Sequence, residues 1–397
     1  MINGHAAQGY ERVREAFEAN FETAHEVGAA CAVSVHGELV VDLWGGIANP
    51  KTDHKWERDT LVTVFSTTKG VSSLAVAHAH SQGLFDYDAT VASYWPEFAV
   101  NGKENVTVRQ LLSHQAGLSA IDESMDISTL ADPDLVAAAL AKQAPAWDPG
   151  TKHGYHGISL GWYESELIRR VDPHHRTIGE YFADEIAEPL DIEFYIGLPD
   201  DIPNERIAPI LGDWFRTKMV FNISKLPGAF VKNFLNPKSL TARTFANPKV
   251  VGMPHRYNDP EMRRIELPAS NGTGTARAIA VAYGEFATGG ERLGIKSETL
   301  AALMNPASPP TDGIFDQVLQ APTTFSLGYC KPWPGFEFGS DRAFGTMGAG
   351  GSFGFAEPDL GLGFAYVMNR MDFYLWDDPR EHRLREAALA CARDAAG

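Results

Sequence analysis

Cysteine, basic charge and long apolar runs are all scarce in this sequence of 397 residues. The cysteines Cys31, Cys330 and Cys391 lie far apart and form no C-x-x-C pair, which argues against a disulfide framework and a thiolate zinc site. No stretch approaches the roughly 20 apolar residues that span a bilayer. Residues 1–21 contain no basic segment followed by an apolar one, so we expect no secretory signal and predict a cytoplasmic location.

Basic residues are outnumbered, 34 Lys and Arg against 51 Asp and Glu, which gives a formal net charge of −17. Nucleic acid and anionic membrane surfaces would repel such a surface, so neither is expected as a partner. With 44% hydrophobic residues, the chain can build a substantial core. A small-molecule substrate is the partner that these features favour.

Similar patterns of secondary structure occur at the two ends of the chain. Residues 11–25 have helical spacing of apolar residues, and the runs 29–35 and 39–44 flank a short turn at His36-Gly37. Near the other end, a β-rich run at 363–368 precedes a helix predicted over 379–393. The pattern predicts one α/β domain, built from both termini, whose sheet is covered by the terminal helices.

The middle of the chain is predicted to be mostly helical, with helices over 66–82, 108–112, 133–142 and 159–171. Residues 204–257 are weakly periodic and carry scattered Pro and Gly, which indicates a long irregular insertion that forms a lid or a pocket wall. We therefore predict a sheet domain from residues 1–65 and 265–397 and a helical inserted domain from residues 66–264. Their junction is the expected place for a cleft.

The first candidate for chemistry is the S-x-x-K motif formed by Ser66 and Lys69. A spacing of three residues at the start of a helix puts both side chains on one face. A serine hydroxyl needs a base to become a nucleophile, and a lysine with a lowered pKa can serve as that base. A serine at a helix start is also a common N-cap, so the motif alone is weak.

Two further segments carry groups that would complete such a site. Tyr155 lies in a loop rich in glycine and histidine, where a phenol near a lysine can relay protons. A glycine-rich block at 345–352 could bring backbone N–H groups close to a ligand and so supply an oxyanion donor. Taken separately, a packing tyrosine and a plain hairpin turn would explain these two segments.

The order of these three segments resembles the penicillin-recognising serine enzymes, whose motif blocks are S-x-x-K, Y-x-N or S-x-N, and K-T-G or H-x-G. Further stretches, among them 111–118, 147–150, 267–272 and 348–354, resemble the family VIII carboxylesterases, the esterase branch of that group. The resemblance covers roughly residues 10–395. It implies a β-lactamase/transpeptidase-like fold with an antiparallel sheet.

That resemblance implies Ser66 as the acylated nucleophile, Lys69 as its base and Tyr155 as the proton relay. It also places the oxyanion hole at the backbone N–H groups of Ser66 and Ala349. The substrate-binding residues expected beside them are Gly157, Asn271, Thr346, Gly348 and Gly350.

The chain departs from the family pattern at two positions. Gly157 stands where relatives place Asn, and Thr346 stands where they place Lys or His. The missing cation disfavours a β-lactam carboxylate and favours a neutral ester.

Two other serines, Ser159 and Ser352, fit G-x-S-x-G, but neither lies between a buried strand and a helix as a nucleophile elbow requires. The chain has no H-E-x-x-H motif and no Gly-rich phosphate loop after a strand, so we expect neither a metal nor a nucleotide cofactor. The predicted function is a carboxylesterase. The alternatives are an acyltransferase with the same acyl-enzyme, a β-lactamase or D-amino-acid peptidase, and a scaffold without turnover. The missing signal segment disfavours the β-lactamase or peptidase.

Overall fold

The computed structural model describes residues 2–212 and 222–397. In these ranges the strands are β1 (Ile2–Ala6), β2 (Gly28–Val35), β3 (Glu38–Asn49), β4 (His54–Lys55), β5 (Leu61–Thr63), β6 (Phe194–Tyr195), β7 (Ile207–Ala208), β8 (Thr273–Gly274), β9 (Phe325–Ser326), β10 (Tyr329–Cys330), β11 (Phe344–Met347), β12 (Phe353–Glu357) and β13 (Leu362–Met368).

The α-helices in the same ranges are α1 (Glu11–Thr23), α2 (Thr67–Ser81), α3 (Val108–Leu112), α4 (Ile127–Leu130), α5 (Pro133–Lys142), α6 (Ser159–Val171), α7 (Ile178–Phe182), α8 (Glu188–Leu190), α9 (Gly228–Leu235), α10 (Leu240–Thr244), α11 (Pro260–Arg264), α12 (Ala276–Ala287), α13 (Ser297–Met304) and α14 (Pro379–Ala396). The predicted terminal and central helices are confirmed, with ends that differ by at most three residues.

An antiparallel sheet forms the framework, in the order β1-β3-β2-β13-β12-β11-β10-β9, with β4 paired to the end of β3. The predicted hairpin is β2–β3, and its turn residues His36 and Gly37 both have positive φ, as a tight two-residue hairpin turn requires. The predicted fold class, an antiparallel sheet flanked by helices in a β-lactamase/transpeptidase-like arrangement, is confirmed.

Side chains on β13 alternate between the two faces of this sheet, as the pleat dictates. Phe364 and Tyr366 pack in one apolar cluster with residues of the terminal helices α1 and α14. Ala365 and Val367 point to the other face and pack in the cluster that contains α12. A Cβ on Gly363 would lie 2.2 Å from a carbonyl of α12, so glycine there permits the close approach of that helix to the sheet.

Helix α2 lies at the centre of the helical region and is buried along nearly its whole length. It packs against α6, α7 and α13, and also against β11 and β12 of the sheet. Its Ala- and Val-rich sequence suits a helix enclosed on all sides. The residue before this helix, Ser66, is therefore held where the sheet meets the helices.

A second, smaller sheet in the order β6-β8-β5-β7 was not predicted. It joins the two predicted domains, because β5 and β8 belong to the sheet domain and β6 and β7 to the helical insertion. The division at residues 65 and 265 stays a prediction.

The segment predicted as an irregular insertion, 204–257, contains β7, α9, α10 and short 3₁₀ turns in its described parts, and its residues 213–221 lie outside the described residues. None of the helices in the described ranges is both long and apolar enough to cross a membrane.

Candidate active site

Ser66 stands at the junction between strand β5 and helix α2. The strand ends at Thr63, and Ser66 is the N-cap residue of the helix. Phe65, immediately before it, has φ of +48°, a left-handed conformation that is rare for a bulky residue and that marks a constrained turn. Its ring packs against Tyr257 at 5.1 Å between centroids. This turn presents the Ser66 side chain to a cavity.

Lys69 is fully buried, and its amine lies 2.9 Å from Ser66 Oγ. The same nitrogen donates to the carbonyls of Gly157, at 2.7 Å, and Ala269, at 2.8 Å. A neutral amine has two N–H bonds and one lone pair. With both N–H bonds directed to the carbonyls, the lone pair is left for the Ser66 hydroxyl, which is the geometry of a base.

Burial lowers the pKa of Lys69 from its ordinary 10.5 to about 7. Desolvation is the main cause, because the charged amine loses its hydration inside the protein. Glu164 and Cys330 act in the opposite direction. A substantial fraction of Lys69 is therefore neutral near pH 7.

Tyr155 also contacts Ser66 and makes a hydrogen bond with it. The Lys69 amine lies 4.8 Å from the centroid of its ring. Burial raises the pKa of the Tyr155 phenol, so the hydroxyl keeps its proton at neutral pH. The phenol can therefore donate a proton beside the Ser66 oxygen.

Asp316 holds the Tyr155 loop in place. This fully buried carboxylate accepts from the backbone N–H groups of Tyr155 at 3.0 Å and of Val318 and Leu319 at 2.7 Å each. It also accepts from the Thr323 hydroxyl at 3.2 Å. Its donors thus offset much of the cost of burying a charge.

The glycine-rich block forms a tight loop between β11 and β12, with Gly350 and Gly351 at positive φ. Ser66 and Ala349 both line the cavity, and within the described part of the chain neither backbone N–H donates to another group. Unpaired N–H groups beside a nucleophile are suited to bind an oxyanion. The Ser352 hydroxyl fixes the loop, since it bonds to the Val64 carbonyl at 2.8 Å and to the Thr67 hydroxyl at 3.0 Å.

The cavity above Ser66 has a volume of about 150 Å³ and walls that are mostly aromatic or aliphatic. An apolar cavity of about this volume holds a benzene ring in another protein. None of the described residues that line it is Asp, Glu, Lys, Arg or His. The aromatic wall includes Phe230, Phe234, Phe245, Phe325, Trp333 and Trp376.

Several predicted substrate-binding residues do not line this cavity. Thr346 is buried, and its hydroxyl accepts from the Gly70 N–H and donates to the Thr67 carbonyl. In the part of the chain that the structure describes, the Asn271 side chain bonds to the backbone of residues 262–267, and its substrate contact stays a prediction. Gly348 packs against the Val64 carbonyl and Ser352.

Gly350, a further predicted substrate-binding residue, is also not among the lining residues, since it packs against Met371. Gly157 does line the cavity. Phe245 occupies the space that a side chain at residue 157 would need, because a Cβ there would lie 2.6 Å from its ring. The departure from the family pattern at residue 157 thus coincides with space that Phe245 fills.

The two other candidate serines have no basic partner among the described residues. Ser159 Oγ donates to the Leu118 carbonyl at 2.7 Å, and Ser352 is used as described above. Both nitrogens of His156 are bonded to backbone, and His114 Nδ1 accepts from the His156 N–H. These side chains support the loops around the site.

Asp316 and Glu164 were not among the predicted site residues. Asp316 lies in a loop with no motif around it, and only its four donors reveal its function. Glu164 lies on a helix surface that the apolar spacing marks as buried, at 0% exposure. A carboxylate at a buried helical position is the signal that could have identified Glu164.

Comparison with known protein families settles the ancestry of this site. The family model described as Beta-lactamase matches residues 13–389. The chain belongs to the beta-lactamase family. The S-x-x-K motif of Ser66 and Lys69 is characteristic of this family.

Individual members of the beta-lactamase family are similar over almost the whole chain. "Esterase/beta-lactamase LipL" of Mycobacterium tuberculosis is 32% identical over 93% of this chain and 83% of that protein. The crystal structure of a family VIII carboxylesterase is 36% identical, with a TM-score of 0.82, over 98% of this chain and 100% of that one. A penicillin-binding protein homolog from Caulobacter crescentus is 37% identical, with a TM-score of 0.84 and the same coverage.

Proposed function

We propose that this protein is a serine hydrolase that cleaves neutral carboxylic esters through an acyl-enzyme on Ser66. The observation that carries the proposal is the Lys69 amine, 2.9 Å from Ser66 Oγ and fixed by two carbonyls. The esterases named among its relatives support ester cleavage. The predicted cytoplasmic location remains part of the proposal.

The first half-reaction transfers the acyl group to the enzyme. Lys69 takes the proton of Ser66, and Ser66 Oγ attacks the ester carbonyl while the N–H groups of Ser66 and Ala349 bind the oxyanion. The carbon–oxygen bond to the alcohol then breaks, and Tyr155 gives its proton to the leaving oxygen. The Lys69 ammonium returns a proton to Tyr155, so the products are acyl-Ser66 and the free alcohol.

The second half-reaction uses water as the nucleophile. Lys69, with Tyr155, removes a proton from water as it attacks the acyl carbonyl, and the oxyanion forms in the same place. Collapse of the intermediate returns the proton to Ser66 and releases the carboxylic acid.

The apolar cavity supports a substrate whose acyl or alcohol group is compact and uncharged. Its volume of about 150 Å³ favours an aromatic ring or a short aliphatic chain. A carboxylate on the substrate would be buried there without a cation, which is costly. This disfavours the β-lactamase and D-amino-acid peptidase alternatives.

Intact-protein mass spectrometry after brief exposure to p-nitrophenyl butyrate tests the proposal. The wild type should show a transient butyryl adduct together with release of p-nitrophenol, and Ser66→Ala should show neither. Turnover that survives in Ser66→Ala would refute the nucleophile assignment. A wild type that neither turns over the ester nor reacts with a fluorophosphonate would support the scaffold without turnover.

The acyltransferase alternative shares the first half-reaction. The apolar walls suit an alcohol acceptor as well as an ester, because both bring apolar surface to the acyl-enzyme. Addition of butanol to the same assay would reveal transfer as butyl butyrate. Hydrolysis alone, with no such ester formed, would exclude transfer to this acceptor.

A further inference from the structure

Glu164 on helix α6 is a fully buried carboxyl with few donors. Its Oε1 accepts from the Ser73 hydroxyl at 2.7 Å, and Oε2 has no hydrogen-bond partner among the described residues. Asp316, buried to the same degree, has three N–H donors and a hydroxyl. An unpaired buried carboxyl is costly. Packing alone therefore does not explain why an acid is present at a site that offers it so few hydrogen-bond donors.

The position of Glu164 relative to Lys69 gives this acid a use. Ser73 follows Lys69 by four residues on α2, so the two side chains lie on one face of the helix, one turn apart. Through Ser73, Glu164 is held about one helical turn from the base, and it is not among the residues that line the cavity. The two groups interact electrostatically: Glu164 raises the pKa of Lys69, and Lys69 lowers the pKa of Glu164.

The backbone closes tightly over this pair. Gly328, in the turn between β9 and β10, has φ of +90°, and a Cβ there would lie 1.9 Å from Ser73 Oγ and 3.0 Å from Glu164 Oε1. The neighbouring Tyr329 hydroxyl is also buried, with no hydrogen-bond partner among the described residues. Glu164 and Tyr329 are both fully buried, and charges interact more strongly away from bulk water.

Apart from Arg109, the other titratable groups named around Lys69 and Glu164 are uncharged near neutral pH. Burial raises the pKa of Tyr87, which faces Glu164 from the segment after α2, and of Tyr329 and Cys330 on β10. Burial also raises the pKa of Tyr155 and lowers the pKa of His114, both of which lie near Lys69. Arg109 stays charged, and its guanidinium lies 5.6 Å from the centroid of the Tyr87 ring, but it is not among the groups that shift the pKa of Lys69 or Glu164. The proton balance is thus set by Lys69 and Glu164 themselves.

We propose that Glu164 is a positioning residue for the base: its carboxyl, held by Ser73 one helical turn from Lys69, sets the pH at which the Lys69 amine becomes available to Ser66. This inference rests on the proposed function, in which Lys69 removes the Ser66 proton. An ionised Glu164 favours the Lys69 ammonium, and a protonated Glu164 favours the free amine. The charged form also stabilises the ammonium that forms when Ser66 is deprotonated.

The pH dependence of kcat/KM with p-nitrophenyl butyrate tests this role. Burial raises the pKa of Glu164 to about 8, so only part of the carboxyl is ionised where Lys69 titrates. In Glu164→Gln the acid limb should move toward lower pH by about 0.3 pH unit, because the charge that favours the ammonium is gone. Ser73→Ala should move the limb in the same direction but less, because the Ser73 hydrogen bond lowers the pKa of Glu164. The double variant should match Glu164→Gln, since both changes act through one carboxyl.

Glu266→Gln is the matched control. This carboxyl is half-buried, and its pKa is also raised, to about 7, but its hydrogen-bond partners are Thr177 and Gly179 and Lys69 is not among the groups that shift its pKa. Its acid limb should coincide with that of the wild type. Because Ser73→Ala deletes a single hydroxyl, it preserves the test if Glu164→Gln does not fold.

An acid limb that stays in place in both Glu164→Gln and Ser73→Ala would overturn the inference, even if kcat or stability fell. Labelling by a fluorophosphonate separates this failure from failure of the proposed function. If Ser66 is labelled in the wild type but not in Ser66→Ala, an unmoved limb refutes only the role of Glu164. If the wild type is not labelled at Ser66, both proposals fail.

Discussion

The Ser352 hydroxyl donates a hydrogen bond to the Val64 carbonyl, 2.8 Å away, and so ties the loop that carries Ala349 to the turn that carries Ser66. The two N–H groups proposed to bind the oxyanion come from residues that are 283 positions apart in the chain. One buried hydroxyl thus helps to fix their separation. These bonds give the serine of this G-x-S-x-G pattern a structural role that does not require it to be a nucleophile.

Replacement of Ser352 by Ala should lower kcat about tenfold while the Ser66 adduct still forms. The oxyanion loop would lose a tether, whereas loss of a whole oxyanion donor costs about 10²–10³ in kcat. Ser159→Ala is the control, because it also removes a buried serine bond to a carbonyl and should leave kcat within about twofold of the wild type. If the adduct disappeared in Ser352→Ala, Ser352 and not Ser66 would be indicated as the nucleophile.

Lys69 and Lys331 provide a matched pair of buried lysines. The Lys331 amine donates to the carbonyls of Leu303, Met304 and Arg342, and burial lowers its pKa to about 7, as for Lys69. Each Met substitution should cost roughly 1–3 kcal/mol of stability for each carbonyl left without a donor. Only Lys69→Met should also lose activity, by about 10²–10⁴-fold, since it removes a general base.

Thermal unfolding and initial rates on both lysine variants check this expectation. Equal losses of activity in the two proteins would mean that stability, and not the base, accounts for the effect of Lys69.

The pH profile of the wild type follows from the lowered pKa of Lys69. The neutral amine is the active form, so kcat/KM should rise with pH through about 7 and level off above it. Below pH 7 the rate should fall about tenfold for each pH unit, as expected for one proton. Initial rates between pH 5 and 9, corrected for spontaneous hydrolysis of the ester, give the profile. A midpoint near pH 10, the ordinary range of lysine, would contradict the burial of the amine.

Local patterns predicted much of the fold. The β2–β3 hairpin and helices α2 and α6 depend on apolar spacing and turn residues that are close together in sequence. The S-x-x-K pair needed only one helical turn to bring its side chains together. In such cases the partners are so near in the chain that the backbone conformation decides the contact.

Features that depend on distant residues were not predictable in this way. Strands β6 and β8 are two residues long, too short to show an alternating pattern, and their pairing joins residues 78 and 80 positions apart. Phe245 belongs to a weakly periodic segment, and nothing in its surroundings shows that its ring fills the space beside Gly157. Glu164 is an acid whose one hydrogen-bond partner within the described ranges, Ser73, is 91 positions away.

An anionic substrate should be a poor one. p-Nitrophenyl hemisuccinate is close in size to the butyrate ester but carries a carboxylate, and the described walls of the cavity hold no cation. Burying that charge without a partner should lower kcat/KM by at least about 10²-fold. The two esters compared at one pH and ionic strength test this. Comparable rates for both would show that a cation reaches the substrate.

The contact between Gly157 and Phe245 predicts a coupled pair of substitutions. In Gly157→Asn the new Cβ would lie 2.6 Å from the Phe245 ring and 3.1 Å from a methyl of Thr244, so the variant should lose about 1–3 kcal/mol of stability and much of its activity. Phe245→Ala removes the ring, and the double variant should recover part of both losses. Chemical denaturation and initial rates on the two single variants and the double variant measure the coupling. Strictly additive losses would show that the ring does not occupy the space that an asparagine needs, and the family departure at residue 157 would require another cause.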